Sequence, residues 1–145
     1  MDVFSKEKRS EVMSRIKGHD TKLEVKVRSQ LFRDGFRFRK NDKRYPGKPD
    51  ILLPKYKTAI FINGCFWHNH INCRYAYIPK TRKVFWKNKF KNNKERDRKN
   101  FSLLKKMGWQ VLVCWECQLK KNFLRCMNRI EKKLAYKTST GSTSL

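Results

Sequence analysis

The longest unbroken apolar run in this chain is Val111 to Trp115. That length suits one buried strand and falls far short of the roughly 20 residues a membrane-spanning helix requires. Trp109–Trp115 (WQVLVCW) is therefore expected as a central buried strand. Two further apolar runs, Asp50–Leu53 and Thr58–Ile62, are bracketed by prolines and by Asn63-Gly64, and they lie close enough to pair as a hairpin. Phe36–Arg39 alternates aromatic and basic residues and predicts a short strand with one wet face. The other apolar residues recur at helical spacing: Val12, Met13 and Ile16 within Ser5–Lys17, closed by Gly18, then Leu23, Val27 and Leu31 within Thr21–Phe32. Thr81–Met107 has helical texture with a break expected at Asn92-Asn93, and Leu119–Tyr136 reads as one final amphipathic helix. The order ααβββαβα predicts an α/β domain with helices on a central sheet. At 145 residues one domain is expected, spanning residues 1–136, with Lys137–Leu145 (KTSTGSTSL) as a disordered tail.

Charge narrows the partners. Against 12 acidic residues stand 37 Lys and Arg, a formal net charge of +25. Such a surface repels itself until a polyanion neutralises it, so nucleic acid is the expected partner and an anionic membrane the weaker alternative. The opening MDVFSKEKRS has no apolar stretch of signal-peptide length, so a cytoplasmic protein is expected. In that reducing compartment five cysteines, an odd number, read as core filler or metal ligands.

Cys65, His68, His70 and Cys73 bring two of the five cysteines and two of the three histidines into nine residues. Thiolate and imidazole are the donors Zn²⁺ prefers in a tetrahedral set. Cys65, His70 and Cys73 offer three ligands at loop spacing, and Cys114, Cys117 and His68 compete to be the fourth. Cys114 continues a buried run where a small apolar side chain packs well, whereas Cys117 follows the strand end.

Few acids in a basic chain invite scrutiny. Asp50 follows Pro49 at a strand start, and a partner strand ends a dozen residues later at Ile62-Asn63. That layout matches Mg²⁺-dependent nuclease sites, where a carboxylate holds a hard cation. The partner strand of such sites carries an acid and a lysine, and here those positions hold Ile62 and Asn63. Glu24 is accounted for by a capping box with Thr21, and Asp97 in Glu95-Arg96-Asp97-Arg98 by a surface ion-pair lattice. Phe66-Trp67 follows a glycine turn, where apolar rings can wedge between bases. Phe85-Trp86-Lys87-Asn88-Lys89-Phe90 interleaves rings with cations in the manner of stacking and phosphate-binding surfaces.

The segments Pro46-Gly47-Lys48-Pro49-Asp50, Ile60 through His68, Pro79-Lys80-Thr81-Arg82, Phe85-Trp86, Glu95-Arg96-Asp97-Arg98, Gly108 through Leu112 and Trp115-Glu116-Cys117 closely resemble the very short patch repair DNA endonucleases, from about Ser5 to Leu119. The resemblance implies a restriction-endonuclease-like core with a mixed central sheet, a structural zinc, and a Mg²⁺-dependent nick beside the thymine of a T·G mismatch in double-stranded DNA. It implies a bacterial, nucleoid-associated enzyme with residues 1–20 contacting DNA; nothing in the sequence demands a dimer, and a monomer is expected. Position by position, Asp50 and the backbone carbonyl of Ile62 resemble the Mg²⁺ ligands. His68 resembles the base or water-positioning group, and Glu24 the acid that supports the metal's waters. Cys65, His70, Cys73 and Cys117 resemble the zinc set. Phe66 and Trp67, with Trp86 beside them, resemble the aromatic wedge, and Met13 the apolar probe from the opposite groove. Two departures stand out. Asn63 occupies a position where family members often carry histidine, which limits it to hydrogen bonding, and the His70–Cys73 spacing is one residue longer. Two rivals keep parts of this reading: a restriction-type endonuclease on matched or modified DNA, and a zinc-stabilised nucleic-acid-binding module without catalysis.

Overall fold

The computed structural model describes residues 21–141. The helix expected over Ser5–Lys17, Met13 within it, and the expected DNA-contacting segment 1–20 lie outside the described residues. Thr21 starts the first helix, α1 (Lys22–Arg33), by accepting the Glu24 N–H on Oγ1 at 3.3 Å. Strand β1 (Ile51–Leu53) runs antiparallel to β2 (Thr58–Asn63), with Ile51 opposite Ile60. A 3₁₀ turn at Pro54–Tyr56 and a left-handed Lys57 close the hairpin. The long helix α2 (Lys83–Lys106) then crosses over to β3 (Gln110–Trp115), which lies parallel to β2 from Thr58↔Gln110 to Asn63↔Trp115. Two helices follow, α3 (Glu116–Lys121) and α4 (Phe123–Gly141).

The sheet order is β1-β2-β3, so the central strand is β2 and not the WQVLVCW run. That run is apolar because both of its faces are packed. Leu112 and Cys114 meet the core shared with α1 and α4, and Val111 meets the core under α2. On the first face Val27 and Leu31 of α1 pack with Ile51, Leu53, Ile60, Met127, Ile130 and Leu134. On the second, Leu52, Ala59 and Phe61 pack with Leu104 and Trp109. The sheet is thus the middle layer of three, and alternation along β2 assigns each residue to one core.

Further expectations are corrected. Phe36–Arg39 is not a strand: Phe36 and Phe38 pack against the core, and only Arg39 pairs, exchanging both backbone hydrogen bonds with Leu52 at 2.8 Å. Asn92-Asn93 does not break α2. The buried Asn93 points its amide at the Trp67 carbonyl (3.0 Å) instead of competing for its own backbone. The final helix is divided at Asn122, which leaves helical geometry (φ −153°, ψ 88°) and accepts the Arg125 N–H on Oδ1 at 3.1 Å, capping α4. Helix α4 then continues to Gly141, into the segment expected to be a disordered tail.

One glycine fixes the approach to β1. Gly47 has φ +80°, and a Cβ there would lie 3.1 Å from a Phe61 ring carbon and 3.3 Å from Asn100 Cβ. Only glycine lets Lys48-Pro49-Asp50 enter the sheet this close to α2.

Candidate functional site

The antiparallel register carries the residue before β1 to the C-terminal end of β2. There the Asp50 carboxylate accepts the Ile62 N–H on Oδ2 at 2.7 Å. Glu24, 4% exposed, reaches the same place from α1. Burial pushes the Asp50 carboxyl up to about 7, and the charge of Glu24 adds to it, against the opposing pull of the Ile62 N–H and Arg28. Two carboxyl groups sharing a buried corner are poor company for each other unless a cation joins them. Their oxygen donors suit a hard divalent ion. Arg28 stands one turn beyond Glu24, bonding its Oε2 at 3.3 Å and the Asp50 carbonyl through Nε (3.2 Å) and Nη2 (2.9 Å). Asn63 ends β2 buried, opposite Trp115.

His68 leaves the turn after Gly64, and its Nδ1 lies 2.5 Å from Asp97 Oδ2 on α2. A carboxylate behind an imidazole fixes the tautomer and orients the ring, leaving Nε2 as the acceptor. Asp97 is thus not simply part of a surface lattice: it is 20% exposed and turned toward His68. His68, Asp97 and Asn63 line a groove of about 930 Å³ whose walls include Lys94, Arg98 and Trp115. The groove therefore joins a positioned imidazole to a basic wall.

Beside it, one donor atom from each of Cys65, His70, Cys73 and Cys117 lies within 4.8 Å of the others. The His70 Nδ1 is 3.7 Å from Cys65 Sγ and 3.5 Å from Cys117 Sγ. Zn–S bonds of about 2.3 Å and Zn–N bonds of about 2.0–2.1 Å at a tetrahedral angle place sulfur and nitrogen about 3.6 Å apart. The four residues therefore fit a tetrahedral Cys₃His ion. Burial pushes the Cys65 thiol up to about 12, so a cation is what would hold it as thiolate, and burial lowers the His70 imidazole, which favours the neutral ligand form. The other two contenders are engaged elsewhere. Cys114 is 1% exposed within the core, and His68 is paired with Asp97.

The Trp115-Glu116-Cys117 segment supports this cluster with every residue. Trp115 stacks on His70 (centroids 3.8 Å, planes 7° apart), Glu116 accepts the Cys65 N–H at 3.2 Å, and the Cys117 N–H points at Cys65 Sγ at 3.3 Å. In the loop between His70 and Cys73, Asn72 takes a left-handed conformation (φ 55°).

Phe66 and Trp67 are half-buried rather than projecting alone. The Phe66 ring sits among Trp67 (5.2 Å), Tyr77 (5.0 Å), Trp86 (5.3 Å) and the buried Phe90 (5.3 Å). The rings form one block tied to α2 by the Asn93–Trp67 hydrogen bond. Sequence reasoning missed Arg28, Asp97, Asn93 and the stacking role of Trp115. Apart from the i,i+4 pairing of Arg28 with Glu24, they act through partners distant in sequence.

Comparison with known proteins identifies the family. The family model described as DNA mismatch endonuclease Vsr matches residues 1–74. The chain is 52% identical over 131 residues to type II nicking enzyme V.NmeAIP of Neisseria meningitidis, covering 90% of this chain and 92% of that protein. It is 43% identical over 119 residues to DNA mismatch endonuclease Vsr of Escherichia coli, covering 82% and 76%. Type II nicking enzyme V.XorIIP of Xanthomonas oryzae is 40% identical over 118 residues, covering 81% and 86%. Paired carboxylates, a buttressed imidazole and a basic groove thus belong to a DNA endonuclease. The chain is a member of the Vsr family of DNA mismatch endonucleases. Among the described residues no helix is long and apolar enough to cross a membrane.

Proposed function

We propose that this chain, acting as a monomer on nucleoid DNA in the bacterial cytoplasm, nicks one strand of double-stranded DNA 5′ to the thymine of a T·G mismatch by Mg²⁺-dependent hydrolysis. The observation that carries the proposal is the meeting of Asp50, Glu24 and the end of β2 in one buried corner, in a chain similar to named nicking enzymes and to a mismatch endonuclease. On this reading the three-stranded sheet is a restriction-endonuclease-like core that delivers acids from two elements to one strand end.

Asp50 and the Ile62 carbonyl would hold Mg²⁺, with Glu24 ordering its waters. Bound there, the ion supplies Lewis-acid polarisation of the phosphate and a more acidic water. His68 accepts the proton from the attacking water on Nε2 while Asp97 stabilises the imidazolium. Asn63 contributes a hydrogen bond and no proton transfer. Cys65, His70, Cys73 and Cys117 would hold Zn²⁺, which ties the loop bearing His68 and the rings to the start of α3. Phe66 and Trp67, backed by Trp86, enter the base stack. A wobble pair resists that insertion less than a matched pair does, which gives selectivity for mismatched steps. Met13 would enter from the opposite groove, and the Lys- and Arg-rich surface grips phosphates.

The test is incubation with Mg²⁺ and a T·G duplex beside its T·A control. Nicking of the thymine strand of T·G alone is expected. Equal cutting of the two duplexes, or a double-strand break, overturns the proposal in favour of a restriction-type activity.

A further inference from the structure

Within the site lies a buried cation that the reaction scheme above does not use. Arg28 is 6% exposed. A guanidinium buried this deeply persists only when its donors are satisfied. They reach three separate stretches of chain: Glu24 Oε2 on α1 (3.3 Å), Asn41 Oδ1 in the loop after α1 (3.4 Å) and the Asp50 carbonyl (3.2 and 2.9 Å). Asn41 presents its amide from a left-handed backbone (φ 50°), a conformation asparagine tolerates better than most residues.

Charge alone argues against this residue. A fixed positive group beside Glu24 and Asp50 repels a divalent ion and weakens the pull of the acids. Simple neutralisation of Glu24 would require one contact, yet two donors converge on the backbone oxygen of Asp50. A planar guanidinium can grip that oxygen and the Glu24 carboxylate together in fixed relative positions, and an ammonium cannot. We infer that Arg28 is a positioning residue: by clasping the Glu24 carboxylate and the Asp50 carbonyl at once, it sets the spacing between Asp50, which would hold the divalent cation, and Glu24, which would order its waters. The inference rests on the proposed cation site.

The sign of the effect decides between geometry and charge. Arg28→Lys keeps the charge and loses the fork. Arg28→Met loses both. If positioning dominates, both variants bind Mn²⁺ about tenfold more weakly, the range for supporting groups around a metal. Mn²⁺ binding is read from the EPR signal of the free ion during titration of the zinc-loaded full chain without DNA. The Mg²⁺ concentration for half-maximal nicking of the T·G duplex rises by the same factor. At saturating Mg²⁺ the nicking rate returns to within a few-fold of wild type, and duplex affinity without Mg²⁺ is unchanged. Loss of packing alone would not be rescued by the cation. Wild-type Mn²⁺ affinity in Arg28→Lys, or tighter binding in Arg28→Met, overturns the inference. Asn41→Gly tolerates the left-handed backbone and removes the 3.4 Å contact to Arg28. It is expected to weaken Mn²⁺ binding two- to threefold, and it decides the question if the Arg28 variants fail to fold. Asp50→Asn is the control. If it binds Mn²⁺ like wild type, the cation site itself is misassigned. If it loses Mn²⁺ while Arg28→Lys does not, only the role of Arg28 falls.

Discussion

The Cys/His cluster and the carboxylate corner lie at the ends of the same strands, yet the chain builds them differently. Three of the four cluster donors fall between Cys65 and Cys73, and the fourth is delivered by the residues that end β3. Ring stacking and backbone N–H contacts surround that set on several sides. The carboxylate corner takes Glu24 from a helix and Asp50 from a strand start and holds them through Arg28 and the Ile62 N–H. On the proposed assignment, one set is complete from protein donors, as structural metal sites are, and the other would leave coordination to be filled by water and substrate, as catalytic sites do. The difference teaches where stability and where rate should respond to substitution.

The sharpest separation is expected at cysteine. Cys117→Ala removes a ligand of the cluster and should lose the bound zinc together with several kcal/mol of stability, since the folding energy of structural zinc sites comes largely from the ion. Cys114→Ala, three residues earlier, should keep one zinc per chain and cost about 1 kcal/mol as a small core truncation. Metal analysis and urea unfolding of the pair check this. Equal zinc content in the two variants would break the contrast between cluster and core cysteines.

At the carboxylate corner the large effect moves to rate. Asp50→Asn should lower T·G nicking by about 10³ or more, the scale of a lost metal ligand, while zinc content and fold stay intact. Single-turnover nicking with circular dichroism on the same samples reads both quantities. A smaller loss, of about 10- to 100-fold, is expected for Asp97→Asn, because on the proposed mechanism Asp97 acts through His68, orienting its ring and stabilising its imidazolium. Its signature is a reduced rate with unchanged duplex affinity. An Asp97→Asn variant slower than His68→Ala would mean that the carboxylate does more than support the ring.

The same contrast governs how much of each site is legible in the amino-acid sequence. The cluster is local, so spacing exposes its donors and leaves only the fourth ligand open. The three-dimensional arrangement excludes Cys114 because β-strand alternation turns it into the core, and excludes His68 because Asp97 engages it. The helices α1 and α2 and the β1–β2 hairpin are legible from period and punctuation. The rank of WQVLVCW as an edge strand is not, because an apolar run reports burial of faces and says nothing of edges. The capping pattern of Thr21 and Glu24 is real but accounts for only part of Glu24: its N–H is capped while its carboxylate faces Arg28. Arg28 shows in the sequence only as the i,i+4 partner of Glu24; its contacts to Asn41 and Asp50 are brought near only by the fold.

The smallest expected effect is on the pH dependence of stability, and it probes the corner directly. In zinc-loaded protein without Mg²⁺, the folded state holds the Asp50 carboxyl protonated up to about pH 7, where the group's ordinary value is 3.8. Folding therefore takes up a proton across this window. The contribution of Asp50 is fully present below pH 4 and is lost as pH rises through 7. Asp50→Asn cannot ionise and lacks that loss, so wild type should fall in stability relative to the variant between pH 5 and 8. Taking the difference between the two proteins cancels contributions common to both. Added Mg²⁺ should oppose the trend at pH 8, because a divalent ion selects the ionised carboxylate. Urea midpoints at both pH values measure the effect. A pH-independent difference would mean that Asp50 is solvated and ionised without a cation, and the corner would then lack the desolvated pair of acids on which its chemistry depends.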